Sequence, residues 1–500
     1  MTTRSGVGRR AAALGFAGLL ALSCGARERP SGPPPVILIS FCSMRADHMG
    51  CYGYGRETSP VLDALARKGV LFERAVSPWP KTSPAFSSIM TGAYPHTTGV
   101  MWKTAGVRLA DEHLTLAEIL REKGYATAAF TSSGALGPPL NIGQGFDVYE
   151  ETWKENRNRS YRLEIRYDRT ATEALRWIDA HEGGPFLLWV HFNNAHYPYK
   201  APDELAAPFE GDSLYADTLR APIGYDQNRV LDLPPGHPNA AQVLHNDLGV
   251  IPERGALPVR PGSREFRRDL AHYVARYDAG IRWADRSAAI LLEGLEERGL
   301  LDRSLTVLFA DHGEALGDHD FFFEHGRFVY DDCMKVPLIL HDPARVPGGR
   351  RIAAPVGVFS ILPTILELLG EEVPGSVESP SLLPLLEGRG EIRPVFAEGG
   401  YEVDFLTMIR DGEWKMIHAP NGRDRAVMTG AEFELYRPAD DPGETRNLAD
   451  TEPSTADRLR RELLAWEATW RAGVAGAEAP PDLDIDEATL KDLRSMGYVR

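Results

Sequence analysis

Two short stretches of this chain carry side chains whose types and spacing could do chemistry. In the first, Asp311-His312-Gly313-Glu314 follows directly on the apolar run Leu305–Ala310. A carboxylate and an imidazole side by side at the end of a buried strand can both reach one divalent ion. An Asp-containing turn with a surface histidine is the other reading of the same residues. In the second, Pro80-Lys81-Thr82-Ser83-Pro84 leads into Ala85–Met90. Ser83 as N-cap and Pro84 at the first helical position predict a helix start, with Thr82 at the positive end of that helix. There a hydroxyl can be stabilised as an alkoxide and an anionic substrate can be held by backbone N–H groups. A plain helix start is the alternative. Competing signatures are absent: the chain has no Gly-x-Ser-x-Gly elbow, no phosphate-loop Gly-Lys-Ser/Thr, no His-Glu-x-x-His and no Cys-x-x-Cys.

These groups need elements to hold them, and the apolar pattern supplies a parallel sheet. Val36–Phe41, Ala126–Phe130, Phe186–Phe192 and Leu305–Ala310 are short continuous apolar runs of the kind buried on both faces. Helical patterns lie between them. Ser59-Pro60, then Val61, Leu62, Leu65 and Ala66, then Gly69 give a cap, a first-turn proline and a terminal glycine. Leu114–Lys123 before Gly124 and Ala284–Arg298 before Gly299 repeat the scheme. This alternation predicts a doubly wound α/β fold, with ligands beyond the carboxyl ends of the strands. The stretch from Ala201 to about Glu265 is rich in Pro, Gly and Asp and reads as a long loop insertion over the site. Further on, Phe405–Arg410 and Glu413–Ile417 around Asp411-Gly412 predict a hairpin, with Glu432–Tyr436 as a further strand of a small antiparallel sheet. Ser454–Arg471 reads as a terminal helix.

Composition narrows the function classes. The 500 residues, 43% of them hydrophobic, can bury a large core. A formal charge of -16 argues against nucleic acid as a partner, since no phosphate-neutralising basic face is supplied. A small anionic ester remains compatible, because a metal can reverse the field inside one cleft. The start of the chain has Arg9 and Arg10, an apolar run Ala11–Leu22, and then Ser23-Cys24. The run is too short for a membrane span and reads as an export signal. Leu-Ser-Cys at its end resembles a bacterial lipoprotein box, with Ala21 where that pattern prefers Leu. The expectation is a lipid on Cys24, a tether over 25–35, and a bacterial cell-envelope location held by that anchor alone. Ordinary signal cleavage is the alternative. Cys42, Cys51 and Cys333 are then an odd set without a disulfide framework.

The run Ile39-Ser40-Phe41-Cys42-Ser43-Met44-Arg45-Ala46-Asp47-His48-Met49-Gly50-Cys51-Tyr52-Gly53 resembles the opening motif of the sulfatase family in the alkaline phosphatase superfamily. Thr91-Gly92-Ala93-Tyr94-Pro95-His96, Asp311–Gly317, His325-Gly326-Arg327 with Tyr330-Asp331, and Val336-Pro337-Leu338-Ile339 continue the likeness in order. Glu434-Leu435-Tyr436, Asp441-Pro442-Gly443-Glu444 and Asn447-Leu448 extend it into what resembles the family's C-terminal subdomain. The resemblance implies a large, mostly parallel sheet flanked by helices with a smaller antiparallel-sheet subdomain. It also implies one divalent metal ion, of identity Zn, Mn or Ca. The expected divisions are 1–24 signal, 25–35 tether, 36–375 catalytic domain with 201–265 inserted, 376–475 subdomain and 476–500 tail.

The chain departs from the family at telling positions. Thr82 stands where formylglycine sulfatases carry Cys or Ser, and Phe86 stands at their arginine. Threonine cannot become formylglycine, so Thr82 resembles the superfamily's threonine branch, where that residue is both metal ligand and nucleophile. The family's Gly-Lys-Trp-His-like segment is replaced near Phe130–Gly134, and the carboxylates after the first strand read Cys42 and Ser43. A thiolate favours a softer ion such as zinc, and an inert buried thiol in a decayed site is the alternative. His196 matches the family's active-site histidine segment, and His325 a position where members place a cation near the leaving group. The expectation is therefore a metal held by Asp311, His312, Thr82 and Cys42, with Thr82, His196 and His325 catalytic. The substrate is a small anionic ester, on a glycan or lipid, with phosphorus esters preferred to aryl sulfates. A catalytically degenerate surface-anchored binding protein and a phospholipid head-group transferase are the rival readings.

Overall fold

A computed structural model of the chain describes residues 32–101, 107–153, 167–196, 199, 201–211, 270–320, 322–400, 405–420 and 431–474. The apolar run of β1 (Val36–Phe41) has every residue buried, which requires a strand covered on both faces. The same holds for β5 (Phe186–Phe192) and β6 (Leu305–Ala310), whose bounds match the apolar runs in the sequence. With β2 (Val70–Val76), β3 (Ala126–Thr131), β4 (Val148–Glu151), β7 (Leu338–His341) and β8 (Arg350–Gly357), they form a sheet in the order β8-β2-β7-β6-β1-β5-β3-β4. The two-residue strand Lys335–Val336 pairs on β2 as its ninth member. β7 runs antiparallel to both neighbours, whereas β1 is parallel to β5 and to β6, β3 to β4 and β5, and β8 to β2. The sheet is thus mostly parallel.

Register decides which end of the sheet can hold a site. Phe41 lies opposite both Phe192 and Ala310, so the central strands β5, β1 and β6 end in one line. The residues that follow, Asn193, Cys42 and Asp311, leave the sheet side by side. β2 runs in the same direction and delivers the loop 77–81 and then helix α2 (Thr82–Thr91) to this end.

Helices cover the sheet: α1 (Pro60–Lys68), α3 (Leu116–Glu122), α4 (Tyr167–Ala180), α5 (Leu270–Glu297) and α6 (Ile361–Leu369). α1 has the bounds its proline and glycine predict. α5 begins fourteen residues before the expected Ala284. Asp278 sits buried in its first half, so a polar residue breaks the apolar period that would have revealed that half. Strands β2, β7 and β8 were not legible as strands. Glu73 and Arg74 interrupt β2, and Pro355 falls at a register break in β8.

The second, antiparallel sheet has the order β9 (Val395–Gly399), β10 (Leu406–Asp411), β11 (Trp414–His418), β12 (Phe433–Tyr436). The hairpin and its third strand are as the turn Asp411-Gly412 predicts, and β9 completes the sheet. α7 (Pro453–Val474) packs Leu459 and Leu463 on Ile409, Met416 and Leu435. No helix among the described residues is long and apolar enough to cross a membrane. Cys24, the tether up to residue 31, most of the 201–265 loop and the tail 476–500 lie outside the described residues.

Candidate active site

Asp311 emerges from β6 one residue after the line of strand ends, fully buried. Its Oδ1 accepts the backbone N–H of Ser43 at 3.1 Å and of His312 at 2.8 Å. Its Oδ2 is buried without a hydrogen-bond partner and lies 3.4 Å from His312 Nε2. The His312 Nδ1 lies 2.8 Å from the carbonyl of Gly313, which fixes a proton there and leaves the Nε2 lone pair facing inward. Gly313 has to be glycine, because a Cβ would meet the Asp332 carbonyl oxygen at 2.0 Å. That carbonyl accepts the Glu314 N–H at 3.0 Å, so the whole Asp-His-Gly-Glu stretch is clamped on the following helix turn.

Thr82 is the first residue of α2, with Lys81 preceding the helix. This corrects the expectation for Ser83: it is the second residue of the helix and not its N-cap, and its hydroxyl donates to the Ala135 carbonyl at 2.8 Å. Thr82 still occupies the positive end of α2. Its Oγ1 lies 3.1 Å from His312 Nε2 and 3.3 Å from Cys42 Sγ, and Cys42 Sγ lies 4.0 Å from the same nitrogen. Cys42, Asp311 and His312 offer ligand atoms all within 4.8 Å of one another and form the one such group among the described residues. All three are completely buried.

Burial sets the protonation of this cluster. It pushes Asp311 up to about 7, against the two N–H groups that stabilise the carboxylate. Burial, then the charge of Asp311, raises the Cys42 thiol well above its ordinary value. Burial lowers His312 far below the usual imidazole range. The donor set suits a divalent cation. A buried unpartnered carboxylate oxygen, a thiol and an inward imidazole lone pair are anionic or neutral ligands, and each would give up a proton or offer a lone pair on binding. A thiolate beside an imidazole belongs to zinc more than to calcium.

The remaining expected residues adjoin this group. The His325 ring lies 4.1 Å from that of His312 and 5.2 Å from that of His196, centroid to centroid. His196 is buried in the segment after β5. Burial, helped by the charge of Lys81, pushes His325 down to about 3. The imidazole is therefore neutral at neutral pH and does not supply the cation expected there. Lys81 does bring a charge near the site, since it lowers both His325 and His312. Its neighbourhood was hidden in sequence because nothing local shows which way the residue before a helix points. Glu314 was also missed: it is fully buried, 3.2 Å from His325 Nδ1, and pushed up to about 8 by burial. Its place in the same four-residue motif was the available signal. Phe86, one helical turn after Thr82, is packed 5.1 Å from both Trp189 and His191 and 6.1 Å from Phe309. No cation occupies that position.

A family profile described as Sulfatase covers residues 34–371 of this chain. The chain belongs to the sulfatase family. A second profile, N-sulphoglucosamine sulphohydrolase, C-terminal, covers residues 317–468, which include the antiparallel sheet. This sulfatase-family chain is 25% identical to a protein named Sulfatase from Formosa agariphila, over 91% of the chain and 92% of the relative. It is 24% identical to an N-acetylglucosamine-6-O-sulfatase of Bacteroides thetaiotaomicron, over 87% of the chain and 86% of the relative. Among solved structures, phosphonate monoester hydrolase of Agrobacterium radiobacter superposes with a TM-score of 0.67 at 23% identity, over 87% of this chain and 96% of the other. By its family the chain is a sulfatase-type hydrolase.

Proposed function

We propose that this sulfatase-family hydrolase is metal-dependent, uses Thr82 as its nucleophile, and acts on singly charged esters, with phosphodiesters and phosphonate monoesters ahead of aryl sulfates. The observation that carries the reading is the position of Thr82 Oγ1, within 3.3 Å of two of the three ligand-type side chains and at the positive end of α2. A divalent ion held by Cys42, Asp311 and His312 would supply a Lewis acid beside that oxygen. With the His312 Nε2 and Cys42 sulfur lone pairs committed to that ion, the Thr82 hydroxyl proton would pass to solvent water, and the leaving oxygen would take a proton from water. Attack by Oγ1 on phosphorus breaks the bond to the leaving alcohol, and the N-terminus of α2 favours the anionic group in transit. His325, neutral, and His196 adjoin the cluster as hydrogen-bond donors to the leaving or equatorial oxygens. Water then cleaves the threonine ester and restores the hydroxyl.

Substrate charge supports the preference. With Phe86 in place of a cation, a dianionic monoester loses more stabilisation than a monoanion does. Sulfate monoesters are also monoanions, so their lower rank rests on the threonine alone. The N-acetylglucosamine-6-O-sulfatase relative adds a saccharide as the group to test on the leaving side. The experiment compares bis-nitrophenyl phosphate, nitrophenyl phosphonate, phosphate and sulfate, and a 6-sulfated N-acetylglucosamine, for wild type and Thr82→Ala. Activity surviving in Thr82→Ala removes the nucleophile. A sulfate rate above the phosphorus diesters reverses the substrate order, and metal binding without turnover of any ester turns the reading to a binding protein. Transfer to an added alcohol in place of water would mark a transferase.

A further inference from the structure

We infer that Tyr277, on α5, is a positioning residue that sets the geometry between Cys42 and Asp311, an inference that rests on reading those two side chains as metal ligands. The two are joined through one residue, Ser43, whose N–H binds Asp311 Oδ1 at 3.1 Å. Ser43 has φ 56°, in the left-handed region that side chains other than glycine rarely occupy, so something outside the loop has to hold it. Asp311 holds its N–H, and one buried hydroxyl holds its carbonyl. The Tyr277 OH donates to the Ser43 carbonyl at 2.6 Å and accepts the Arg45 N–H at 2.9 Å. The carbonyl of one residue and the N–H two residues on are the pair that a γ-turn would close on itself. The tyrosine oxygen inserts between them and prevents that collapse.

The grip of α5 on this loop does not end there. Asp278, the next residue, binds His48 Nδ1 at 2.7 Å and Arg56 Nη1 at 2.7 Å, so adjacent residues of one helix fix both ends of the segment 43–56. The His48 ring packs edge-on against Tyr277, 5.3 Å between centroids. α5 itself approaches the segment that carries His196 through Gly280, where a Cβ would meet the Asn194 carbonyl oxygen at 2.8 Å. The helix therefore meets two of the three strand-end loops that build the site.

Without the Tyr277 hydroxyl the Ser43 carbonyl loses that bond, and Ser43, still tied at its N–H to Asp311, can relax out of the left-handed region. The Cys42 sulfur and the Ser43 N–H that anchors Asp311 then move relative to each other. Groups bonded directly to a metal ligand change affinity by roughly ten- to a hundredfold when lost; Tyr277 acts one bond further out, through Ser43, so Tyr277→Phe is expected at the lower end, about tenfold, for zinc. Glycine adopts positive φ without strain, so adding Ser43→Gly to Tyr277→Phe should bring the affinity back to within about threefold of wild type. A role in general packing predicts no such rescue.

The test titrates zinc against a chromophoric chelator for wild type, Tyr277→Phe and the double variant, using the full chain. In parallel, the rate of Cys42 alkylation is read by mass spectrometry on the metal-free proteins. A tenfold or greater loss of zinc affinity, recovered in the double variant, supports the inference. Zinc affinity in Tyr277→Phe within twofold of wild type overturns it. If wild type binds no zinc, the ligand reading fails, and the thiol decides alone. Alkylation at least tenfold faster in Tyr277→Phe and slowed again by Ser43→Gly keeps the positioning role, and unchanged alkylation removes it.

Discussion

At the scale of single residues, Asp311 and His312 fit a turn with a surface histidine as well as a metal site, and it was their place in the ordered series of sulfatase-like motifs that singled them out. Their side chains converge with Cys42 as the strand register requires. Replacing both, Asp311→Asn with His312→Ala, is expected to abolish stoichiometric metal in the purified protein, and unchanged metal content would exclude the site. Cys42→Asp should move preference from zinc toward manganese or calcium, measured by competition between the ions. Thr82→Ala should lower kcat by about a thousandfold or more on the best ester, the scale lost with a nucleophile. Lys81 and Glu314 show the limit of reading side chains singly. Both bear on His325 only through space, Lys81 by its charge and Glu314 at 3.2 Å.

At the scale of elements, α2 and α5 carry the argument. Phe86 follows Thr82 by one helical turn and meets the edge of His191, itself 2.9 Å from Ser40 Oγ. The arginine of formylglycine sulfatases would therefore place an unpaired charge in an aromatic core. Phe86→Arg is expected to destabilise the fold by about 3–5 kcal/mol, measured by denaturant unfolding, rather than restore a sulfatase site. On α5, Asp285 Oδ1 accepts the N–H groups of Val61 and Leu62, both at 2.9 Å, where α1 begins. Burial nevertheless raises Asp285 to about 7. Since an unfolded aspartate titrates near 3.9, the folded chain holds this proton more tightly, so stability falls as pH rises from about 4 to about 7. Asp285→Asn keeps the accepting oxygen and removes the charge. It should flatten that fall and raise stability at pH 8 by on the order of 3 kcal/mol, and a wild-type slope retained in the variant would contradict the assignment.

At the scale of the whole molecule, the two sheets meet through charge as well as apolar packing. Asp331, which follows the motif residue Tyr330, accepts Arg410 of β10 at 2.6 and 2.8 Å and Lys415 of β11 at 2.8 Å. Asp331→Ala leaves the Arg410 guanidinium buried without that carboxylate and is expected to cost about 3–5 kcal/mol, read as a lower unfolding midpoint. Outside the described residues, Cys24 is expected to carry lipid: labelled palmitate should enter wild type and not Cys24→Ser, and equal labelling would sink the idea. The sequence alone determined the central strands, because a run buried on both faces is apolar at nearly every position, with Ser40, His191 and Thr306 the exceptions in β1, β5 and β6, and so announces itself. It also determined the hairpin, through a turn that needs Asp-Gly, and the order of motifs at the strand ends. Only the tertiary structure decided what those ends face. Sequence does not encode register directly, and register is what sets Cys42 beside Asp311 and brings Thr82 to His312 from 230 positions away. It likewise decided that His325 is neutral and that Phe86 belongs to the core. Protonation and burial depend on everything packed around a group, and most of that packing comes from distant parts of the chain.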